Sequence, residues 1–189
     1  HSILIGLPIW YVVGILITFS PEFGKAFGMT VSPVAGESVK YCYIGLSLGD
    51  LASGLLSQLM RSRKKVVYLF LALTAIAILN FFIFAKNSLP VFYTMCAFLG
   101  FGIGYWAVFV TTASENFGTN IRATVTTTVP NFIRGSVVPL TMSFEALRQS
   151  WGDVQIAALI VGSATLLIAV LSLSQLQETF GKDLDYIES

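Results

Sequence analysis

Two ionisable side chains, Asp50 and Arg134, lie near the middle of long apolar stretches of the sequence. An unpaired guanidinium in the core of a lipid bilayer costs at least about 2.5–3.5 kcal/mol, so it needs water, a partner or an anionic ligand. A buried carboxylate favours its neutral form unless a cation is close. The pair could therefore bind an anion and take up a proton, or it could form a structural ion pair.

Each of these two residues shares a helix face with other polar residues, as their spacing in the sequence shows. Thr127, Asn131, Arg134, Thr141 and Glu145 step by four, three, seven and four, which places them on one helix face. A second face carries the residues Tyr43, Ser47, Asp50, Gly54 and Ser57. The candidate binding residues are Tyr11, Tyr105, Trp106, Thr127, Asn131 and Arg134, and the candidate proton-coupling residues are Glu22 and Asp50.

Simpler interpretations stand beside these. Tyr105 and Trp106 could face lipid or the core instead of a ligand, and Glu22 with Lys25 could be a solvated pair. The residues Ala97, Gly100, Gly104 and Ala107 form a stripe of small side chains, which favours close helix packing. The thiols of Cys42 and Cys96 are predicted to be buried and unpaired.

The composition restricts where these side chains can lie. Of 189 residues, 55% are apolar and only 11% are charged, with a mean hydropathy of +0.78 and a formal net charge of +1. An average soluble domain has about 25% charged residues. These values exclude an ordinary soluble domain, a disordered chain and a nucleic-acid-binding protein. They indicate an integral membrane protein in contact with lipid.

The sequence predicts an all-α protein with six transmembrane helices, since six stretches approach the ~20 apolar residues that a span needs. The stretches cover residues 3–19 (with a polar extension to 27), 38–60, 66–85, 91–114, 123–147 and 154–173. Pro21 interrupts the first, and Pro130 and Pro139 predict a kink in the fifth. Because the apolar runs are continuous, a barrel with alternating residues is not expected.

Basic residues predict the orientation. The turn RSRKK at 61–65 is strongly basic, and Arg122 and Lys182 fall on the same side, whereas the other side carries single basic residues. The cluster is expected in the cytoplasm. Both chain ends would then be cytoplasmic, in a multi-pass plasma or inner membrane protein.

The distribution of charge predicts how the six helices are grouped. The third and sixth contain no charged residue within the span, whereas the first, second and fifth do. The third and sixth are therefore expected to face lipid. This gives a three-plus-three pattern, in which the two triplets have opposite topology, as in the inverted repeats of many transporters.

Three segments carry a resemblance to a known family. The segment ENFGTNIR at 115–122 resembles the E-x-F-P-T-x-x-R signature of the major facilitator superfamily, with Gly118 in place of proline. GLLSQLMRSRKK at 54–65 is similar to its loop motif G-x-L-x-D-x-x-G-R-[RK], with Arg61 where the second glycine stands. QETFGKDL at 177–184 is similar to the tail P-E-T-x-G-x-x-L of the sugar-porter and organic-ion branches.

The resemblance implies that residues 1–176 are the C-terminal six-helix half of a twelve-helix transporter and that 177–189 are a cytoplasmic tail. The missing N-terminal half is the implied partner. The first, second, fourth and fifth helices would line a central cavity. The implied cytoplasmic gate residues are Arg61, Arg63, Glu115, Arg122 and Glu178.

The expected function is that of a secondary active transporter half, which moves a small polar solute by alternating access, with proton coupling as a further expectation. Arg134 favours an anion such as a carboxylate, and the Gln- and Asn-rich pattern of sugar porters is missing from the first helix. No enzyme, cofactor or metal site is expected, because no phosphate loop, nucleophile–base set or ligand cluster is present in the sequence. The alternative is a non-transporting six-helix scaffold, or a half-sized module that works as a homodimer.

Asp50 supplies a test of proton coupling. If an anionic substrate competes with Asp50 for Arg134, Asp50 takes up a proton as the substrate binds. We expect Asp50→Asn to abolish proton-driven accumulation and to leave substrate exchange intact. Uphill uptake and counterflow in proteoliposomes measure the two activities. Normal uphill uptake would exclude the coupling role, and loss of both activities would indicate a structural one.

Overall fold

The structure is a computed structural model in which residues 1–181 are described, and these residues form helices and no strand. The all-α prediction is therefore confirmed over this range. The α-helices are α1 (Leu7–Tyr11), α2 (Ser20–Ala26), α3 (Ala35–Leu59), α4 (Arg63–Phe84), α5 (Leu89–Gly102), α6 (Trp106–Glu115), α7 (Thr119–Gly135), α8 (Val137–Trp151) and α9 (Val154–Gln175). Lys182 and the end of the predicted tail, 182–189, lie outside the described residues.

Shorter helical turns complete the path of the chain. A 3₁₀ turn (Leu4–Gly6) precedes α1, a π-helical segment (Val12–Ile17) continues it, and another 3₁₀ turn (Ala85–Asn87) follows α4. The amide of Thr18 donates to the carbonyl of Val13 at 3.2 Å, which is the longer i to i+5 step of a π-helix. The first predicted helix is thus irregular well before Pro21.

Each of the six predicted stretches is helical, but three of them are interrupted. The first is broken between the π-helical segment and α2, the fourth at 103–105, and the fifth at Ser136. The last break falls between Pro130 and Pro139, where the sequence predicts a kink. Proline and glycine near these points explain the breaks, since proline lacks an amide donor and glycine weakens a helix.

Three helical stretches are long and apolar enough to cross a membrane, namely Arg63–Asn87, Leu89–Glu115 and Val154–Gln175. Leu4–Ile17 and Ser20–Ala26, bent by 62°, make a fourth if the pair is one span. The described chain therefore meets this criterion three or four times, against six predicted spans. The helix α3 is not among them, because glycine, serine and other polar residues dilute its apolar side chains along its whole length. The helices α7 and α8 are too short as separate helices, at 17 and 15 residues.

The helices α3 and α5 approach each other at backbone distance. A Cβ added to Gly45 would lie 1.9 Å from the carbonyl oxygen of Ala97, and one added to Gly100 would lie 1.9 Å from that of Cys42. The predicted stripe of small residues is confirmed as a packing surface at Ala97 and Gly100. Cys42 and Cys96 lie in this seam and are buried and free, as predicted.

The break between α5 and α6 has its backbone groups satisfied by neighbouring helices. Thr74 of α4 donates its hydroxyl to the carbonyl of Gly102 at 2.8 Å, and the Asp50 carboxylate accepts the amide of Ala107 at 3.1 Å. Unpaired backbone groups cost several kcal/mol away from water, so an irregular segment at membrane depth needs such partners. Residues of α3 and α4 therefore hold the start of α6 in place.

The seam yields a stability prediction with a control in the same helix. Gly45→Ala puts a methyl group into the Ala97 carbonyl and forces α3 and α5 apart, which we expect to cost about 1–3 kcal/mol. Gly54→Ala in the same helix meets no atom within 4 Å and gains helix propensity, so its stability should stay equal or rise. Thermal unfolding midpoints in detergent micelles measure both. Equal midpoints for the two variants would contradict the tight seam.

Candidate functional site

A cavity of about 150 Å³ lies where the first helical segments, α3, α6 and α7 meet. Its lining is mostly apolar and aromatic, with one charged side chain. The lining residues are Ile9, Trp10, Val13, Tyr43, Leu46, Trp106 and Arg134. A mostly apolar lining with a few polar groups is typical of small-molecule sites, and this lining has that character.

Arg134 is held by an aromatic ring and not by an acid. Its guanidinium carbon lies 5.6 Å from the centroid of the Trp10 ring, within the range of a cation–π contact. In the described part of the chain, the ion pairs join Lys40 with Glu37, Arg63 with Glu115 and Arg148 with Glu145. Arg134 therefore keeps its charge available to a ligand.

The two tryptophans of the cavity meet edge to face. The centroids of the Trp10 and Trp106 rings are 6.1 Å apart, at an interplanar angle of 81°. The indole nitrogen Nε1 of Trp10 is buried and has no hydrogen-bond partner within residues 1–181. A buried donor without a partner costs about 1–3 kcal/mol.

Of the predicted binding residues, only Trp106 and Arg134 line this cavity. Thr127 and Asn131 lie exposed on α7 and bond to their own helix, since Thr127 donates to the carbonyl of Thr124 at 3.0 Å and Asn131 donates to that of Thr127 at 2.9 Å. They share the exposed polar surface of α7 with Arg134 but lie outside the cavity.

The structure does not bring Tyr11 and Tyr105 into the cavity. Both side chains are fully buried. The Tyr11 hydroxyl donates to the carbonyl of Ala158 at 2.7 Å, and the Tyr105 hydroxyl donates to that of Ile5 at 2.9 Å. Their hydroxyls tie α1 to α9 and the α5–α6 break to the N-terminal turn. In this conformation these two tyrosines hold the bundle together.

Asp50 is half-buried and does not pair with Arg134. Its Oδ1 accepts the amide of Ala107, in the first turn of α6, from the neighbouring helix α3. A carboxylate at this position also suits the positive end of the helix dipole. The structural ion pair that the sequence left open is therefore not formed here, and Asp50 caps the second half of a broken helix.

Glu22 lies apart from both groups. It lines a surface recess of about 550 Å³ together with Lys25 and Arg148. The basic neighbours fit the simpler interpretation of a solvated charge cluster, and Glu22 is absent from the lining of the Arg134 cavity. Its predicted role in proton coupling has no structural link to that site.

Sequence reasoning missed Trp10 and Tyr43 as cavity residues. Trp10 and Val13 stand three residues apart, which puts them on one face of the first helix, whereas Tyr11 is rotated by about 100° from Trp10. The sequence predicts Tyr11 as a binding residue, whereas its neighbour Trp10 is the one that lines the cavity. The spacing places Tyr43 on the Asp50 face, and that signal could have added it to the binding set.

At one end of the bundle, several predicted gate residues meet in a polar cluster. Its members are Ser57, Ser62, Arg63, Glu115, Glu178 and Thr179. Arg63 lies 3.2 Å from the carboxylate of Glu115, with both side chains largely buried, and Thr179 donates to the same carboxylate at 2.7 Å. The cluster joins the end of α3, the start of α4, the end of α6 and the tail.

Glu178 caps the start of α4 from the tail. It accepts the hydroxyl of Ser62, the amide of Arg63 at 2.9 Å and the amide of Lys64 at 3.3 Å. Partial burial alone would raise the pKa of Glu178, but these hydrogen bonds outweigh it and lower the pKa below its ordinary value. The stability that these hydrogen bonds give to the folded protein is complete above the ordinary pKa of glutamate. It is lost as the pH falls through the lowered pKa of Glu178.

The remaining two gate residues lie beside this cluster. Arg61 is exposed and has a φ of 47°, a left-handed conformation that favours glycine, at the position where the resembled loop motif has glycine. Arg122 donates through Nε and Nη2 to the carbonyl of Phe117, at 3.2 and 3.1 Å. These contacts fold the 115–122 turn.

Comparisons with family models, curated proteins and solved structures find no match to this chain. The site is therefore interpreted from its own geometry. Within residues 1–181, no group of three or more His, Cys, Asp or Glu side chains could hold a metal ion.

The polar cluster predicts a local effect of Glu115→Gln. The change removes one charge of a largely buried pair, so we expect about 1 kcal/mol less local stability and roughly fivefold faster exchange at the amides that Glu178 holds. Hydrogen–deuterium exchange of peptides over residues 62–65 and 178–180 measures this. The control is Glu145→Gln, whose pair with Arg148 at 3.0 Å is more exposed. If both variants exchange like the parent protein, the cluster does not stabilise the tail.

Proposed function

We propose that the chain is a six-span half of a secondary active transporter, which moves a small anionic solute by alternating access. The observation that carries the proposal is the Arg134 guanidinium at the edge of an aromatic cavity, with no acidic side chain of the described residues paired to it. An arginine without an acidic partner is expensive in a membrane protein unless it serves a ligand or a water-filled path.

The six-span, three-plus-three arrangement is part of this proposal. Helices α3, α7 and α8 would complete the six spans, with α7 and α8 acting as one kinked span. Broken helices are common where transporters bind their substrates, because the freed backbone groups and the bends shape a site. The breaks at 103–105 and at Ser136 flank the segments that carry Trp106 and Arg134, which supports this interpretation.

The surface of α7 supports a partner half. Thr127, Asn131 and Arg134 are exposed on it, and only Val129 and Ile133 of this helix are buried. Such a polar surface cannot face lipid without a large cost, so it should face water or another protein surface. An N-terminal six-helix half of the same transporter, closing a water-filled cavity over α7, would satisfy it.

The proposed gate is the polar cluster around Arg63 and Glu115. Short-range ion pairs and hydrogen bonds can favour one conformation and be lost in the other. The cluster lies at the basic RSRKK turn, whose charge supports a cytoplasmic location. On this proposal both chain ends are cytoplasmic, in a plasma or inner membrane.

Proton coupling through Asp50 would act on the broken helix. A protonated Asp50 is a weaker acceptor for the Ala107 amide than a carboxylate, so proton uptake would loosen the start of α6. Because α6 also carries Trp106, the change would reach the cavity. The side-chain amide introduced by Asp50→Asn keeps an acceptor oxygen, which is why this variant should fold.

The proposed function is tested at Arg134. In proteoliposomes that contain the full-length protein, we expect uptake of small carboxylates under an inward proton gradient, and no uptake of the matching neutral amides. Arg134→Ala should abolish uptake, and Arg134→Lys should reduce it about tenfold or more, because a planar two-donor fork is replaced by a point charge.

Arg148→Ala is the matched control, since Arg148 belongs to α8 and pairs with Glu145 at the surface. Its uptake should equal that of the parent protein. Uptake by Arg134→Ala at the parent rate would overturn the assignment of the anion site. A correctly inserted protein that transports no solute at all would favour the non-transporting scaffold.

A further inference from the structure

The volume of the Arg134 cavity suits a small ligand. Its volume of about 150 Å³ equals that of apolar protein cavities that bind a single benzene ring. The apolar part of a fitting ligand is therefore about the size of one six-membered ring.

The lining selects for an aromatic ring over an aliphatic one. The Trp10 and Trp106 rings meet edge to face at 6.1 Å, and both residues line the cavity. Ile9, Val13 and Leu46 supply apolar walls, and Tyr43 adds an aromatic ring with one hydroxyl group. An aromatic ring gains favourable contacts with aromatic walls that a saturated ring does not make.

The polar groups of the cavity select for a carboxylate. Arg134 offers a fork of donors that matches the two oxygens of a carboxylate. The described lining includes no acidic side chain, so a ligand with an ammonium group would find no charged partner there.

We infer that this cavity binds a monocyclic aromatic carboxylate, with its ring against Trp10 and Trp106 and its carboxylate at Arg134. The inference rests on the proposed function, since it names the substrate class of the same site. It adds Trp10 as a residue that lines the cavity with its ring and packs that ring against Arg134.

Calorimetry on the purified full-length protein in detergent micelles tests the inference with four probes. Benzoate has the ring and the charge, cyclohexanecarboxylate has the charge on a non-planar ring, benzamide has the ring without the charge, and acetate has the charge alone. We expect benzoate to bind about fivefold more tightly than cyclohexanecarboxylate, and about tenfold or more tightly than benzamide and acetate.

Substitutions of Trp106 and Trp10 test which side chains give the preference for benzoate. Trp106→Leu keeps an apolar wall, so it should bind both ring carboxylates and remove the difference between them. Trp10→Leu removes the second aromatic wall and the ring that contacts Arg134, and we expect it to weaken benzoate binding about fivefold. Trp151→Phe, at the exposed end of α8, is the control and should bind like the parent protein.

The outcomes separate this inference from the proposed function. If cyclohexanecarboxylate binds as tightly as benzoate and Arg134→Ala abolishes both, the aromatic class is overturned and the anion site stands. If benzoate keeps its preference in Trp106→Leu and in Trp10→Leu, the two indoles do not recognise the ring, and the inference is overturned. If no carboxylate binds the folded protein, the inference and the anion site both fail.

Discussion

The requirement that every backbone polar group in an apolar surrounding be paired governs this structure. Long helices meet it alone, but three of the six helical stretches are broken. At the break between α5 and α6 the pairing comes from other helices, since Thr74 binds the Gly102 carbonyl and Asp50 binds the Ala107 amide. A break of this kind is stable only while its neighbours stay in place, so the irregular backbone fixes the packing of α3 and α4 around it.

The glycine seam between α3 and α5 serves the same requirement. It brings α3 so close that Asp50 reaches the start of α6, and it leaves no room for a side chain at Gly45 or Gly100. The energetic role of these glycines is therefore indirect. They gain dispersion contacts between the helices and, more importantly, set the distance at which a carboxylate on one helix can cap another.

Helix α6 connects the two groups of functional interest. Its start is capped by Asp50 and carries Trp106 in the cavity, and its end carries Glu115 in the polar cluster. A short helix that is held at both ends by residues of other elements can transmit a change at one end to the other. In the proposed transporter, loss of the Arg63–Glu115 pair and loss of the Asp50 cap would both release α6.

The sequence by itself determined the helical class, the positions of the six helical stretches, the buried thiols and the small-residue packing surface. Each of these follows from composition and local spacing, which act over a few residues. The sequence predicted six membrane-spanning helices, whereas three or four helical stretches of the described residues are long and apolar enough to cross a membrane. Polar residues dilute the apolar side chains of α3, and the break at Ser136 divides the fifth stretch into two shorter helices. Only the tertiary structure decided that Trp10 and not Tyr11 faces the cavity, and that Asp50 caps α6 instead of pairing with Arg134. The reason is physical: the face that a helix presents and the partner that a charge finds depend on how helices rotate and approach one another, and the energies that set this come from contacts between residues far apart in the chain.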